Sequence, residues 1–281
     1  MQLRPLFVLA ALALGCRSAQ TPAAATASTP SNAPVAFGDL DAAIAGPHRS
    51  EADRARDVYR HPRETLTFFG IAPGQTVVEL SPSGGWYTAI LAPLLHDRGT
   101  LVGAIPDPNG PRARYAQRFR DFQATRPDLY GNVRVVVLEP PAQVNLGAPG
   151  SADAVLTFRN VHGWVNDNAF DAVLAGAFAV LRPGGVLGVV EHRAAEGADP
   201  ATSSRQGYVP EAFVIARAQA AGFVLDARSE INANPRDTRA YENGVWALPP
   251  TLRGGDVDRA RFVAIGESDR MTLRFRKPAT P

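Results

Sequence analysis

Cysteine is almost missing from this chain. Cys16 stands alone among 281 residues, so no intramolecular disulfide can form, and the fold has to be held by its core alone. Lysine is almost missing too: of 29 basic residues only Lys277 is not arginine, and 27 acidic residues bring the formal net charge to +2. No Lys/Arg block is left to follow a phosphate backbone, so no nucleic-acid partner is expected. Histidine is sparse, and His48, His61, His96, His162 and His192 lie too far apart for a close pair at metal-ligand spacing. No metal is expected. The apolar run 6–14 is too short to span a bilayer.

That run has another reading. Arg4 precedes it, and Ala13-Leu14-Gly15-Cys16 follows with small residues before a cysteine, which is the layout of an export signal. The segment resembles a bacterial lipobox, which implies lipidation of Cys16; Ala13 stands where that motif usually has Leu. An ordinary signal peptide with an incidental cysteine would export the protein equally. The expected location is the periplasm, as a lipoprotein anchored to the envelope at the outer membrane, and the membrane is met only through the N-terminal lipid. Residues 1–16 are thus a signal segment. Residues 17–36, rich in Ala, Ser, Thr and Pro, read as a disordered tether, because this composition buries too little apolar surface to fold.

The chain as a whole is 45% hydrophobic and 20% charged, enough for a full core, which falls to residues 37–281. Ser50-Glu51 offers a helix start, and Pro62 suits the first position of a helix that Gly70 closes. The β-branched run 76–80 is a strand, followed by a turn 81–85 and a helix over 86–95. The alternation continues with strands at 100–105, 133–138 and 154–158 and a helix over 112–124. Asn166 is placed to cap a helix to 181, and Arg182-Pro183-Gly184-Gly185 to break it before a strand at 186–191. A helix over 210–221 then leads to strands at 223–228 and 271–276. Apolar middle strands alternating with helices predict a mostly parallel sheet covered on both faces. Between 231 and 268 the periodicity weakens, marking an insertion that is either a functional lid or an irregular excursion.

In such a sheet the ligand lies beyond the carboxyl ends of the strands, so the turn after the first strand, Ser81-Pro82-Ser83-Gly84-Gly85, carries the most weight. A glycine-rich turn can also be simply a tight connection. The succession Pro73-Gly74-Gln75-Thr76-Val77-Val78-Glu79-Leu80, then Gly84-Gly85-Trp86-Tyr87-Thr88, then Leu181-Arg182-Pro183-Gly184-Gly185, resembles class I S-adenosylmethionine-dependent methyltransferases. The stretches Phe158-Arg159-Asn160-Val161-His162 and Glu267-Ser268-Asp269-Arg270-Met271 resemble marks of a group of bacterial predicted methyltransferases. The resemblance implies an α/β doubly wound, Rossmann-like sheet of seven strands, mostly parallel with an antiparallel last strand.

It also implies S-adenosylmethionine as cofactor. Glu79, Ser81, Ser83, Gly84 and Gly85 would face its amino acid moiety, and Glu139 the region near the adenine. Two departures stand out: Ser81 and Ser83 fill the first two glycine positions of the family's turn, and Ile105 fills the place of the ribose-binding acid, with Asp107 two residues on as a substitute. His162, with Arg159 and Asn160, follows the fourth strand, where donor and acceptor meet in this fold; a histidine there can take a proton at neutral pH, or it can merely hydrogen-bond the loop. Glu191 and His192 end the next strand at the same cleft, with the same two readings. Three functions follow: methyl transfer to a small molecule or a protein side chain, a catalytically inactive binding module of the cell envelope that keeps the fold, and nicotinamide-dependent redox chemistry. The last is the poorest, because Ser81, Ser83 and Trp86 occupy the places of its three glycines.

Overall fold

A computed structural model describes residues 31–279. The signal segment, Cys16 and most of the tether lie outside the described residues. The end of the tether docks on the domain: the Ser31 N–H donates to the Pro47 carbonyl at 2.9 Å, and Arg126 donates to the Ser31 carbonyl at 2.6 Å.

Eight strands form one sheet: β1 (Thr76–Leu80), β2 (Thr100–Ile105), β3 (Arg134–Glu139), β4 (Gln143–Val144), β5 (Ala152–Phe158), β6 (Leu181–His192), β7 (Val224–Ser229) and β8 (Arg270–Arg276). Their order across the sheet is β4-β3-β2-β1-β5-β6-β8-β7. The pairs from β3 to β6 are parallel. β8 enters between β6 and β7, antiparallel to both, as the resemblance implies and as a dinucleotide-type sheet would not have it. The chain order reverses between β1 and β5, and this sets the cleft above their carboxyl ends.

Most local expectations hold. The helix Pro62–Phe69 starts at its proline and ends on Gly70 at φ +73°, a left-handed cap that glycine adopts without strain. Apolar helices pack on both faces of the sheet, giving two buried clusters: Leu80, Val155, Leu187 and Leu273 on one side, Val77, Ile90, Leu101 and Leu156 on the other. Neither face is left to solvent, so the middle strands read as unbroken apolar runs.

Three points differ. The seven expected strands are joined by an eighth, β4, whose two residues pair with Leu138 and Glu139 and carry no apolar run to announce them. Asn166 does not cap a long helix; it ends Val161–Asn166, and a separate helix Phe170–Val180 follows. Its amide is engaged elsewhere, donating to the Ser204 carbonyl at 3.0 Å while its oxygen accepts from the Ser204 hydroxyl at 2.8 Å, so it has nothing left for a cap. Arg182 to Gly185 do not precede β6 but lie within it: the ladder jumps from Ala152–Leu181 to Ala154–Val186, and the extra residues bulge out.

The insertion at 231–268 folds back over the carboxyl end of the sheet with a short 3-10 turn, Gly244–Ala247, and a helix, Arg259–Ile265. Asp269 ties it down, accepting from Arg193 at 3.0 Å, from the Asn234 N–H at 2.8 Å and from Arg239, while its own N–H donates to Asp237 at 2.9 Å. Among the described residues no helix is long and apolar enough to cross a membrane.

Candidate functional site

The turn after β1 has the shape that a three-glycine turn would give. Ser81, Ser83 and Gly85 all have positive φ, at 50°, 51° and 73°, so the two serines hold a backbone that glycine adopts more readily. Gly85 does not owe its identity to a ligand. A Cβ there would lie 2.4 Å from the Phe122 ring, so the glycine lets a helix pack against the turn. Gly84 likewise lies under the Arg118 guanidinium, 3.1 Å from where its Cβ would be.

A cleft of about 360 Å³ opens beside this turn, lined by Glu79, Ser81, Ser83, Arg159, Asn160 and His162 from the strand ends and roofed by Trp246, Pro249 and Pro250 from the insertion. The irregular segment is therefore a lid in position. A second lobe of about 440 Å³ shares Ser81, Ser83, Arg159, Asn160 and His162 and is walled by Pro106, Tyr115, Leu138 and Pro140. Together they bring six of the expected residues, among them the whole Arg159-Asn160-His162 set, to one place, with Gly84 and Gly85 just behind it.

Glu79 sits 3% exposed at the end of β1, and the Thr88 hydroxyl donates to its Oε2 at 2.6 Å. Burial pushes its carboxyl up to about 7, against the pull of that hydrogen bond and of the Arg159 charge. Arg159 makes no side-chain hydrogen bond among the described residues; its closest carboxylate is Glu267 at 4.0 Å. Burial lowers its guanidinium to about 10, with Glu267 opposing.

Asn160 is a strut: its amide donates to the Leu80 carbonyl at 3.0 Å and the Thr157 hydroxyl at 3.2 Å, fastening β1 to β5. His162 is held by a residue from the neighbouring strand. Glu191 accepts from the backbone N–H groups of Val161 at 2.6 Å and His192 at 2.9 Å, and its Oε1 lies 3.0 Å from His162 Nδ1. A carboxylate in that position makes Nδ1 the donor, leaving Nε2 with a lone pair for an incoming proton. His192 shares a 2.5 Å hydrogen bond with Ser268, and burial, with the charges of His162, Arg159 and Arg270, holds its imidazole well below the usual value and hence neutral.

His162, Glu191 and His192 also offer ligand atoms within 4.8 Å of one another. The three hydrogen bonds that Glu191 already accepts would have to be given up, in part, to a metal.

The ribose end is altered. Ile105 is buried, and Asp107 turns its carboxylate onto its own loop, accepting from the Asn109 N–H at 2.8 Å. Glu139 accepts from Arg112 at 2.7 Å and 3.0 Å and from the Asp107 N–H at 3.1 Å; Arg112 also reaches Asp167 at 2.7 Å. Neither Asp107 nor Glu139 lines either lobe of the cleft, so the fold does not bring these two expected residues to the site. For S-adenosylmethionine the residues fit at the amino acid end, where Glu79 stands at the turn, and along the apolar walls. To serve as the resemblance implies, Asp107 would have to leave the Asn109 N–H for the ribose, and Glu139 would have to leave Arg112 for the adenine region.

Sequence reasoning missed Arg60, Glu267 and Trp246 as site residues. Glu267 and Ser268 belong to a stretch already singled out as a mark of the resemblance, and the fold brings that stretch against the other one, Phe158 to His162.

No protein-family model and no curated protein sequence matches the chain. Solved structures do. A geranyl diphosphate C-methyltransferase from Streptomyces coelicolor A3(2), in complex with Mg2+, geranyl diphosphate and S-adenosyl-L-homocysteine, is 14% identical with a TM-score of 0.53, over 86% of this chain and 90% of that one. The cyclase SpnF is 16% identical with a TM-score of 0.54, over 79% and 81%. At these identities the likeness is one of fold, and the fold alone does not set the reaction. With β8 antiparallel beside β6 and the cleft at the β1–β5 reversal, this chain has the Rossmann-like fold of the class I methyltransferases.

Proposed function

We propose that the protein is an S-adenosylmethionine-dependent methyltransferase acting on a small molecule or a protein side chain, exported and held at the envelope through a lipid on Cys16. The observation that carries this reading is the turn itself: Ser81, Ser83 and Gly85 keep the left-handed backbone of a cofactor-binding turn although only one of them is glycine. Strain of this kind costs about 1–3 kcal/mol per residue and persists where a site needs it. S-adenosylmethionine, when bound, supplies a methyl group on a positively charged sulfur. Glu79 would receive the ammonium end, Ser81 and Ser83 would border the chain, and the lid would keep water out. His162, fixed by Glu191, would hold the acceptor's proton at Nε2, and Asn160 keeps the two strand ends in register.

A second reading, an inactive binding module on the same fold, is favoured by the Arg112–Glu139 pair at the adenine end. Titration calorimetry with S-adenosylhomocysteine separates it from the first. Micromolar binding, abolished by replacing Glu79 with Lys in a protein that still melts cooperatively, is the expected result; no heat at millimolar ligand would refute the cofactor assignment.

A further inference from the structure

One end of the cleft holds a single buried carboxylate among four guanidiniums. Glu267 accepts from Arg56 at 2.6 Å and Arg60 at 3.0 Å, lies 3.1 Å from Arg270 and stands 4.0 Å from Arg159. The Glu267, Arg60 and Arg270 side chains are 5% exposed or less. Buried charges are ordinarily paired one for one, since an unpaired ion out of water costs several kcal/mol. Here arginines outnumber carboxylates by two even when Glu79, across Arg159, is counted as charged.

The hydrogen-bond inventory is lopsided in the same sense. Each nitrogen of Arg270 has a partner, Nη1 beside Glu267 and the other two donating to the carbonyls of Ser268 and Tyr59. The other three guanidiniums lack such a full set, and those three line the cleft. Arg60 Nη1 is buried with no hydrogen-bond partner. Arg56 spends only Nε, on Glu267. The Arg159 guanidinium makes no hydrogen bond among the described residues, and the residue holds a positive φ of 65° at a backbone cost. Arg60 in addition lies over the Trp86 ring, its Cζ 4.6 Å from the centroid, a contact that helps hold the fork in place. Planar forks with spare donors, fixed and partly desolvated, suit a carboxylate or phosphate, which accepts two N–H bonds at once.

We infer that Arg56, Arg60 and Arg159 form an oxyanion subsite, and that the methyl acceptor carries a carboxylate or phosphate seated there while its reacting atom faces His162. This rests on the methyltransferase reading, for the acceptor; the subsite itself does not. The same oxyanion chemistry could come from the α-carboxylate of the cofactor, and the experiment distinguishes the two.

Inorganic phosphate is titrated into the purified protein by calorimetry, alone and after saturation with S-adenosylhomocysteine, for the wild type, Arg159→Gln and Arg56→Gln. The two side chains are partly buried, 23% exposed for Arg159 and 24% for Arg56, so a cooperative melt of each variant is checked first. Phosphate should bind the wild type, and each variant should weaken it about tenfold or more, as expected for losing charge-assisted hydrogen bonds. It should bind equally well with S-adenosylhomocysteine in place. Phosphate affinity unchanged in both variants, or no phosphate binding at all, would overturn the subsite. Displacement of phosphate by S-adenosylhomocysteine, with Arg159→Gln weakening both ligands alike, would overturn the assignment to the acceptor and give the subsite to the cofactor. Phosphate binding without any binding of S-adenosylhomocysteine would uphold the subsite and overturn the methyltransferase reading instead.

Discussion

Replacing Glu79 with Gln should make the protein more stable at and above neutral pH and leave it unchanged in acid. The carboxyl ordinarily titrates at 4.5 and is pushed up to about 7 by burial in the folded chain. Between those values the unfolded chain has lost a proton that the folded chain keeps, so stability falls as pH rises through this window. The contribution is whole below about pH 4.5 and lost above about pH 7. At about 1.4 kcal/mol per pH unit the gap between 4.5 and about 7 is worth about 3 kcal/mol, a readable part of the ~5–15 kcal/mol that holds a domain together. Gln keeps the shape and can still accept from the Thr88 hydroxyl, so the substitution removes the titration and little else.

His192 acts in the opposite sense. Burial keeps its imidazole well below 6.5, so the stability it confers is present above the unfolded value and lost on acidification. The two windows overlap, and the wild-type profile alone would mix them. Urea unfolding of wild type and Glu79→Gln, at several values between about pH 4.5 and about pH 8, isolates Glu79 as the difference between the curves. That difference should open by up to ~3 kcal/mol toward alkaline pH; parallel curves would refute the buried, proton-holding state of this carboxyl. The same group links stability to function. A ligand ammonium beside Glu79 would draw the proton off, so binding of S-adenosylhomocysteine near pH 6 should release a proton from the wild type, seen as binding heats that depend on the buffer, and none from the variant.

Gly85→Ala should lower unfolding free energy by about 2–5 kcal/mol, combining about 1–2 kcal/mol for a left-handed non-glycine residue with about 1–3 kcal/mol for crowding the Phe122 ring at 2.4 Å. A loss under about 0.5 kcal/mol in chemical denaturation would show that Phe122 moves aside freely. If Cys16 carries the lipid, Cys16→Ser should move the protein from the membrane fraction to the soluble exported fraction, and membrane retention of the variant would sink that idea.

How far the fold could be read depended on whether the signal was local. Thr76–Leu80 and Pro62–Phe69 declare themselves by β-branching, by a proline at the first helical position and by a glycine after the last, and the structure places them at those bounds. Asn166 failed because its side chain answers to Ser204, distant in sequence, and no local rule sees that. Part of the site escaped the same way. Arg159 after β5 and Glu267 before β8 stood in stretches the sequence singled out, but only the fold brings them to Arg56 and Arg60, which alone read as ordinary surface charges. One pairing was within reach: β5 and β6 are parallel neighbours with Phe158 opposite Val190, so the residues just beyond, His162 and Glu191, have to meet at the same strand ends. Sequence treated the serines at 81 and 83 as departures from a glycine pattern. The backbone shows that what the turn demands is a conformation, which glycine meets without strain and serine at a cost, so a missing glycine at 81 or 83 is no evidence of a missing turn.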